Sequence, residues 1–311
     1  MTSLILLILV VLLIMITVAF MTLFERKIMG LFHYRKGPNK LGMFGLLQPF
    51  SDAMKLFSKE IFFPFKSNLY LYFVSPILML MLSLMMWMIY PFMNNIMDMN
   101  LSTLYFLCIM SMGVYPLMFM GWSSSSVFSM IGAIRSIAQS ISYEVTFAIT
   151  LLSMNNVISS LNLMNFTIYS KYMNLLFLFY PIFLALLINM LAEINRTPFD
   201  LSESESELVS GFNVEYGEIK FTMIFLSEYS MLIFMMLLIS MIFFNFFFSY
   251  MVFLNMMLMI FLITWIRMTF PRIRYDKLMF LCWFYILPFS LLNYMLFLFC
   301  LKMPFDMFFF N

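Results

Sequence analysis

The sequence predicts an all-α polytopic membrane protein with about eight transmembrane helices. Hydrophobic residues make up 64% of the 311 residues and charged residues only 10%, which leaves too little polar surface for a soluble fold. The apolar residues also gather in runs of about 20, the length that a helix needs to cross a bilayer. Since lipid offers no hydrogen bonds to the backbone, we expect these runs to be helices of one membrane domain, residues 1–311.

The predicted spans lie near residues 3–24, 69–93, 101–122, 134–153, 173–193, 221–243, 246–266 and 278–301. The stretch 221–266 is divided into two spans because one helix of that length would measure about 69 Å, roughly twice the hydrocarbon thickness. A turn is predicted near Asn245. Between residues 221 and 266 the only charged residue is Glu228. An even number of spans places both termini on the same side of the membrane.

Basic residues are distributed very unevenly between the two sides. Of the 17 lysine and arginine residues, all except Lys171 and Lys302 fall in loops or helix ends on one side of this topology. Positively charged loops stay on the inside when a membrane protein inserts. We therefore expect the long loops to face the inside and both termini to face the outside.

The first inside loop contains a predicted amphipathic helix near residues 44–60. Its apolar face carries Phe50, Met54, Phe57 and Ile61, and its polar face carries Asp52, Lys55 and Lys59. This pattern is typical of a helix that lies in the membrane interface. Two interpretations stay open, a simple lipid anchor and one wall of an entrance that opens toward the lipid.

Three carboxylates, Glu144, Glu193 and Glu228, fall within or at the end of predicted spans. An ionised side chain at the bilayer centre costs on the order of 3 kcal/mol, so such residues usually face a polar interior and have a function. We interpret them as a candidate route for protons or charge. The alternative for Glu144 is a hydrogen-bonded seam between helices, because serine, threonine and glutamine share its helix face. The alternative for Glu193 is a local ion pair with Arg196.

An acidic inside loop, residues 194–220, follows the fifth predicted span. Its carboxylates are Asp200, Glu203, Glu205, Glu207 and Glu215, with Glu218 close to the next span. Charge runs are usually solvated surfaces. A basic inside surface has little reason to gather so many carboxylates, however, so a surface that collects protons is a second hypothesis.

The chain offers few ligands for a redox cofactor. Its three cysteines, Cys108, Cys282 and Cys300, are widely separated, which fits neither a disulfide framework nor an iron–sulfur or zinc motif. His33 is the only histidine, so a pair of axial haem ligands is excluded. We expect this chain alone to bind no redox cofactor.

Several segments, in order along the chain, resemble the family of subunit 1 of NADH:ubiquinone oxidoreductase, respiratory complex I. The longest is AEINRTPFDLSESESELVSGFNVEY at residues 192–216. The others are ERK at 25–27, RKGPN at 35–39, QPFSDAMKLF at 48–57, GWSS at 121–124, RSIAQSISYEV at 135–145 and PRIRYD at 271–276. Together they extend over most of the chain.

The resemblance implies a membrane subunit of an NADH:ubiquinone reductase that translocates protons, with no activity as an isolated chain. The residues that match the family's chamber for the substrate ubiquinone are Arg26, Arg35, Asp52 and Arg274, with the acidic loop beneath. The intramembrane carboxylates Glu144, Glu193 and Glu228 match those that are thought to couple quinone reduction to proton translocation.

The resemblance also implies partners and a location. NADH, FMN and iron–sulfur clusters are expected in other subunits, including the hydrophilic subunits that hold the terminal cluster and the quinone headgroup. Neighbouring membrane subunits, membrane lipid and ubiquinone are the other expected partners, and no nucleic acid is expected. The expected location is the mitochondrial inner membrane, with the long loops facing the matrix and both termini facing the intermembrane space.

Some positions depart from the family's pattern, among them Ser125, Val127, Ser204, Glu218 and Lys220. Glu218 and Lys220 add charges just before the sixth predicted span, where the family usually has small, apolar residues. What these two charges do does not follow from the resemblance.

Two other classes of membrane protein fit the sequence less well. A secondary transporter usually has an internal repeat with interrupted spans in both halves, and the sequence contains no matching half. A membrane-bound prenyl or lipid transferase needs paired acidic motifs that bind Mg²⁺ and diphosphate, which the sequence lacks. All ten lysines lie in loops or at span ends, so proton coupling is expected to depend on carboxylates.

Overall fold

The computed structural model describes residues 2–60, 62–90, 99–170, 175–202, 211–244 and 249–302. Within these ranges the regular structure is helical, without a strand, which confirms the predicted all-α class. The α-helices are α1 (Thr2–Phe32), α2 (Gln48–Phe57), α3 (Leu69–Met86), α4 (Ser102–Ser124), α5 (Val127–Ile158), α6 (Leu163–Tyr169), α7 (Leu175–Leu178), α8 (Tyr180–Glu193), α9 (Glu218–Phe243), α10 (Ser249–Thr269), α11 (Tyr275–Phe280) and α12 (Leu287–Lys302). A π-helical turn, Leu281–Ile286, joins the last two.

Length and hydropathy identify six of the described helices as candidate membrane spans, or seven if α5 and α6 form one bent span. Helix α5 counts only together with α6, from which it is bent by 53°. Helix α8 has 14 residues, too few by this test. Each predicted span therefore contains helix, but the number eight stays a prediction. The predicted turn at Asn245 lies outside the described residues.

Helices α5 and α9 form the interior of the bundle. Helix α9 packs against α1, α3 and α10, and α5 packs against α4, α8 and α12. In the most apolar window of α9, 67% of the residues are buried, compared with 17% for α1. The outer helices turn apolar side chains such as Leu13 and Leu292 away from the protein, as a chain in lipid can do without cost.

Helix α2 lies where the sequence predicts an interfacial helix, although it is shorter than the predicted range 44–60. Phe50, Met54 and Phe57 on its apolar face are 47%, 70% and 52% exposed, so this face is turned away from the protein. The fourth predicted member, Ile61, lies outside the described residues. An exposed apolar face on a short helix suits a position at the lipid surface.

A pair of glycines allows the acidic loop to lie directly on α5 at Gly211 and Phe212. A Cβ atom added to Gly132 would stand 2.9 Å from the Cα atom of Gly211 and from the backbone nitrogen of Phe212. The contact is with backbone, which cannot rotate away as a side chain can. Gly113 in α4 differs, because an added Cβ would meet no atom within 4 Å.

We predict that Gly132→Ala destabilises the protein by about 1–3 kcal/mol, the usual effect of overpacking a close contact. Gly113→Ala is the matched control, since it makes the same change inside a helix but in open space. The protein complex is heated to a series of temperatures and run on native gels. The gels give the temperature at which this chain dissociates from the complex. Equal temperatures for the two variants would contradict the close packing.

Candidate functional site

A buried carboxylate near the inside end of α1 binds groups from three other parts of the chain. The Glu25 side chain is 3% exposed. Its Oε2 atom lies 3.6 Å from Arg196 and 3.2 Å from Arg267, and it accepts a 2.8 Å hydrogen bond from the Tyr229 hydroxyl. We call these four residues the Glu25 cluster. It joins α1, α9, α10 and the loop after α8.

Arg196 is the cation at the centre of the Glu25 cluster. Its guanidinium lies 4.4 Å from the centre of the Tyr229 ring. Burial alone would lower the pKa of Arg196, but the negative charge of Glu25, the contact with Tyr229 and the charge of Glu228 together raise it. Arg196 therefore stays protonated and acts on carboxylates of both α1 and α9.

A small cavity of about 50 Å³ lies next to the Glu25 cluster, between α3, α4, α5, α8 and α9. Two of the predicted intramembrane carboxylates, Glu193 and Glu228, line it together with Ser140 and Gly113. The Glu193 Oε1 atom is buried and has no hydrogen-bond partner among the described groups. The cavity is large enough for roughly three or four water molecules, which would supply such partners.

Glu144 extends this group from the neighbouring helix α5. It is half-buried, and its charge acts on Glu193. No ion pair joins Glu193 to Arg196 within the part of the chain that the structure describes. The local ion pair between Glu193 and Arg196, which the sequence left open, is therefore not formed, because Arg196 pairs with Glu25 instead.

The polar face of α5 is largely a seam of hydrogen bonds to neighbouring helices. The Gln139 side-chain amide donates to the backbone carbonyls of Ala192 and Phe199, at 2.8 and 2.9 Å. The Tyr143 hydroxyl donates to the carbonyl of Leu278 at 3.2 Å. The seam interpretation is thus correct for these two residues, and the seam holds the end of α8 that carries the cavity carboxylate.

Two further ion pairs involve predicted site residues. Asp52 of α2 pairs with Arg26 of α1 and also accepts a 3.1 Å hydrogen bond from Gln48. Asp200 of the acidic loop is buried and lies 3.0 Å from Arg272. The first pair holds α2 against α1, and the second holds the acidic loop against the segment between α10 and α11.

The other predicted site residues have less defined surroundings. Arg35 and Arg274 are exposed, and Glu215 is half-buried, with its backbone carbonyl accepting a 2.6 Å hydrogen bond from the Tyr72 hydroxyl. The predicted loop carboxylates Glu203, Glu205 and Glu207 lie outside the described residues.

Sequence reasoning missed four residues of this region, namely Glu25, Tyr229, Arg267 and Arg272. Glu25 follows the predicted end of the first span, near residue 24, whereas α1 continues to Phe32. One feature of the sequence could have indicated the role of Glu25. It lies directly beside the basic residues Arg26 and Lys27 at a span end, and such a glutamate is a candidate for long-range pairing. Among the described residues, no group of three or more His, Cys, Asp and Glu could hold a metal ion.

We predict that Glu25→Gln lowers the stability of the assembled protein by about 3–5 kcal/mol, because it leaves the largely buried Arg196 and the partly exposed Arg267 without this carboxylate. Adding Arg267→Gln should cost less than the sum of the single changes, with a coupling of at least about 0.5 kcal/mol. Resistance to heat, measured for both single variants and the double variant, gives this coupling. Arg26→Gln is the matched control, and its effect on stability should simply add to that of Arg267→Gln. If the Arg26/Arg267 pair showed the same coupling energy as the Glu25/Arg267 pair, the coupling would not be specific to the Glu25 cluster.

Comparisons with known proteins identify the family of this chain. The family model described as NADH dehydrogenase matches residues 5–298. NADH-ubiquinone oxidoreductase chain 1 of Aedes aegypti is 49% identical over 93% of this chain and 92% of its own length. The corresponding chain of Locusta migratoria is 48% identical (96% and 95%), and that of Didelphis virginiana is 42% identical (89% and 90%). The chain belongs to the NADH dehydrogenase family, among relatives that are named chain 1 of NADH-ubiquinone oxidoreductase.

Proposed function

We propose that this chain is a core membrane subunit of an NADH:ubiquinone oxidoreductase in which quinone reduction at the inside surface drives proton movement through intramembrane carboxylates. The observation that carries the proposal is the series from the Asp200–Arg272 pair, through the Glu25 cluster, to the cavity lined by Glu193 and Glu228. Each member of the series lies next to groups of opposite charge or to space for water.

The quinone end of the series is assigned to the inside surface near α1 and α2. Arg26, Arg35, Asp52 and Arg274 are the residues proposed for the chamber. A quinone has a long apolar tail and a polar headgroup, so its entrance needs an apolar surface at the lipid beside polar side chains. The exposed apolar face of α2, held to α1 by the Arg26–Asp52 pair, has this combination. NADH, FMN and iron–sulfur clusters are assigned to partner subunits, and ubiquinone is the substrate.

The proton end of the series is assigned to Glu144, Glu193 and Glu228. A carboxyl group passes a proton by accepting it on one oxygen and releasing it from the other, with water as the link. Glu193 and Glu228 share one cavity, and Glu144 acts electrostatically on Glu193, so the three form a continuous set. Ser140 in the lining is a further hydrogen-bonding group for water.

Arg196 is the proposed link between the two ends. It is attracted by Glu25 and by Glu228, and it stands four residues before Asp200. A change of charge near the acidic loop would alter how strongly Arg196 favours the ionised form of Glu228. That change in turn alters the free energy of a proton in the cavity, which is the coupling that the function requires.

The acidic loop contributes less to this proposal than the sequence suggests. Asp200 is paired with Arg272, and Glu218 accepts a hydrogen bond from the backbone nitrogen of Phe62. Proton collection is therefore proposed only for Glu203, Glu205, Glu207 and Glu215. The proposed location is the mitochondrial inner membrane, with the long loops toward the matrix and both termini toward the intermembrane space. The proposed partners are the hydrophilic quinone-site and iron–sulfur subunits and neighbouring membrane subunits.

We predict that Glu144→Gln, Glu193→Gln and Glu228→Gln each lower coupled NADH:quinone activity by about tenfold or more, since a positioned proton-transfer group contributes roughly a hundredfold. Assembly should survive, because glutamine keeps the shape of the side chain. Proton uptake and NADH oxidation in sealed vesicles measure the effect. Glu60→Gln, at an exposed carboxylate outside the series, is the control. Full activity and full proton transfer in all three variants would overturn the route.

We predict that Asp52→Asn raises the KM for quinone by about two- to fivefold, the usual effect of losing a partly exposed ion pair. The reason is that α2 is then held less firmly beside α1. Steady-state kinetics with a long-tailed quinone measure the change. Asp276→Asn, an exposed aspartate of α11, is the control, and the same KM in both variants would argue against an entrance at α2.

A further inference from the structure

The ammonium group of Lys220 lies among three aromatic rings. Its Nζ atom is 4.4, 4.2 and 4.3 Å from the ring centres of Phe63, Tyr72 and Phe73. The residue is 7% exposed, and Nζ has no hydrogen-bond partner among the described groups. A cation that is removed from water without such partners is costly, so the faces of the rings must supply most of its stabilisation. We call this arrangement the Lys220 cage.

Glu218 is the first residue of α9, two residues before Lys220, and it also binds the connection between α2 and α3. Its Oε1 atom accepts a 2.5 Å hydrogen bond from the backbone nitrogen of Phe62. Its φ of 61° is one that residues other than glycine seldom adopt, so the bond to Phe62 offsets an unfavourable backbone conformation. Glu218 also attracts the ammonium of Lys220. Both charges at the start of α9 therefore act on residues 62–73.

The described residues of the connection between α2 and α3 are 58–60 and 62–68, and this connection is held against α9 at Phe62 by Glu218 and at Phe63 by the Lys220 cage. Phe62 and Phe63 are 65% and 41% exposed, and farther along the connection the backbone nitrogen of Asn68 donates a 3.0 Å hydrogen bond to the carbonyl of Ser123. Helix α2 packs against α1 and α9, and two further restraints hold it there, the Arg26–Asp52 pair and the connection that follows the helix. Loss of either restraint changes how far α2 can move from the bundle.

We propose that Lys220 and Glu218 are positioning residues that hold the connection after α2 against α9 and so set the width of the quinone entrance. This rests on the proposed function, in which α2 is one wall of that entrance. The two charges touch no substrate. Their effect passes through the aromatic rings and the backbone of residues 62–73 to α2.

The test uses the assembled complex with Lys220→Met, which keeps the length of the side chain and removes its charge. We expect the KM for a long-tailed quinone to rise about three- to tenfold, while the kcat and the KM for a short-tailed quinone change little. Lys220→Arg should restore the original KM, because a guanidinium also packs on aromatic faces. Lys66→Met is the matched control, since Lys66 lies in the same connection but is exposed.

An unchanged KM for the long-tailed quinone in Lys220→Met would overturn the proposal, and so would equal changes in Lys220→Met and Lys66→Met. If Lys220→Met does not assemble, Phe63→Leu keeps the ammonium and removes one ring, and an unchanged KM in that variant has the same meaning. Asp52→Asn separates the two proposals. If Asp52→Asn shifts the KM for the long-tailed quinone and the cage variants do not, only the proposed role of the cage is wrong. If none of these variants shifts that KM, the proposed quinone entrance at α2 is wrong as well.

Discussion

The burial of the Glu25 carboxylate constrains the half of the bundle in which it lies. An ion taken out of water loses several kcal/mol of solvation unless close partners of opposite charge replace it. Here those partners, Arg196 and Arg267, come from segments far apart in the chain, and Tyr229 completes the set. Apolar packing in lipid gives little preference for one helix arrangement over another, since the tails are as apolar as the side chains. The charges supply that preference, and α1, α9 and α10 must meet where they do.

The same cluster stands between the two activities proposed for the chain. Toward the inside surface, the Asp200–Arg272 pair connects the acidic loop to the segment before α11. Toward the membrane interior, Arg196 acts on Glu228, which lines the cavity with Glu193. An arginine that stays charged is well suited to this place, because it can change partners without exchanging a proton.

The polar face of α5 shows that structure and function share the same side chains. Gln139 was a candidate for a route or for a seam, and its amide in fact binds the carbonyl of Ala192. Ala192 directly precedes Glu193, so the seam fixes the backbone that carries a cavity carboxylate. A seam and a proton route are therefore compatible on one helix. Glu144, on the same face, is half-buried, and its charge acts on Glu193.

Composition and pattern were sufficient for the class of fold and for much of the candidate site. Runs of apolar residues located the helices, since lipid demands that every spanning segment satisfy its own backbone. The cost of a charge in lipid drew attention to Glu144, Glu193 and Glu228, and two of them line one cavity. Periodicity also located α2, although its helix is shorter than predicted.

Only the tertiary structure decided which charges are partners. Glu25 and Arg267 are separated by 242 residues, and Glu218 and Phe62 by 156. In water, an apolar stripe would indicate which helix face is buried, but in lipid both the interior and the exterior favour apolar residues, so that signal is weak. The sequence by itself determined that this is a helical membrane chain with carboxylates in its spans. The partners of Glu25, the cage around Lys220 and the cavity beside Glu228 depend on how the helices meet, which local pattern does not encode.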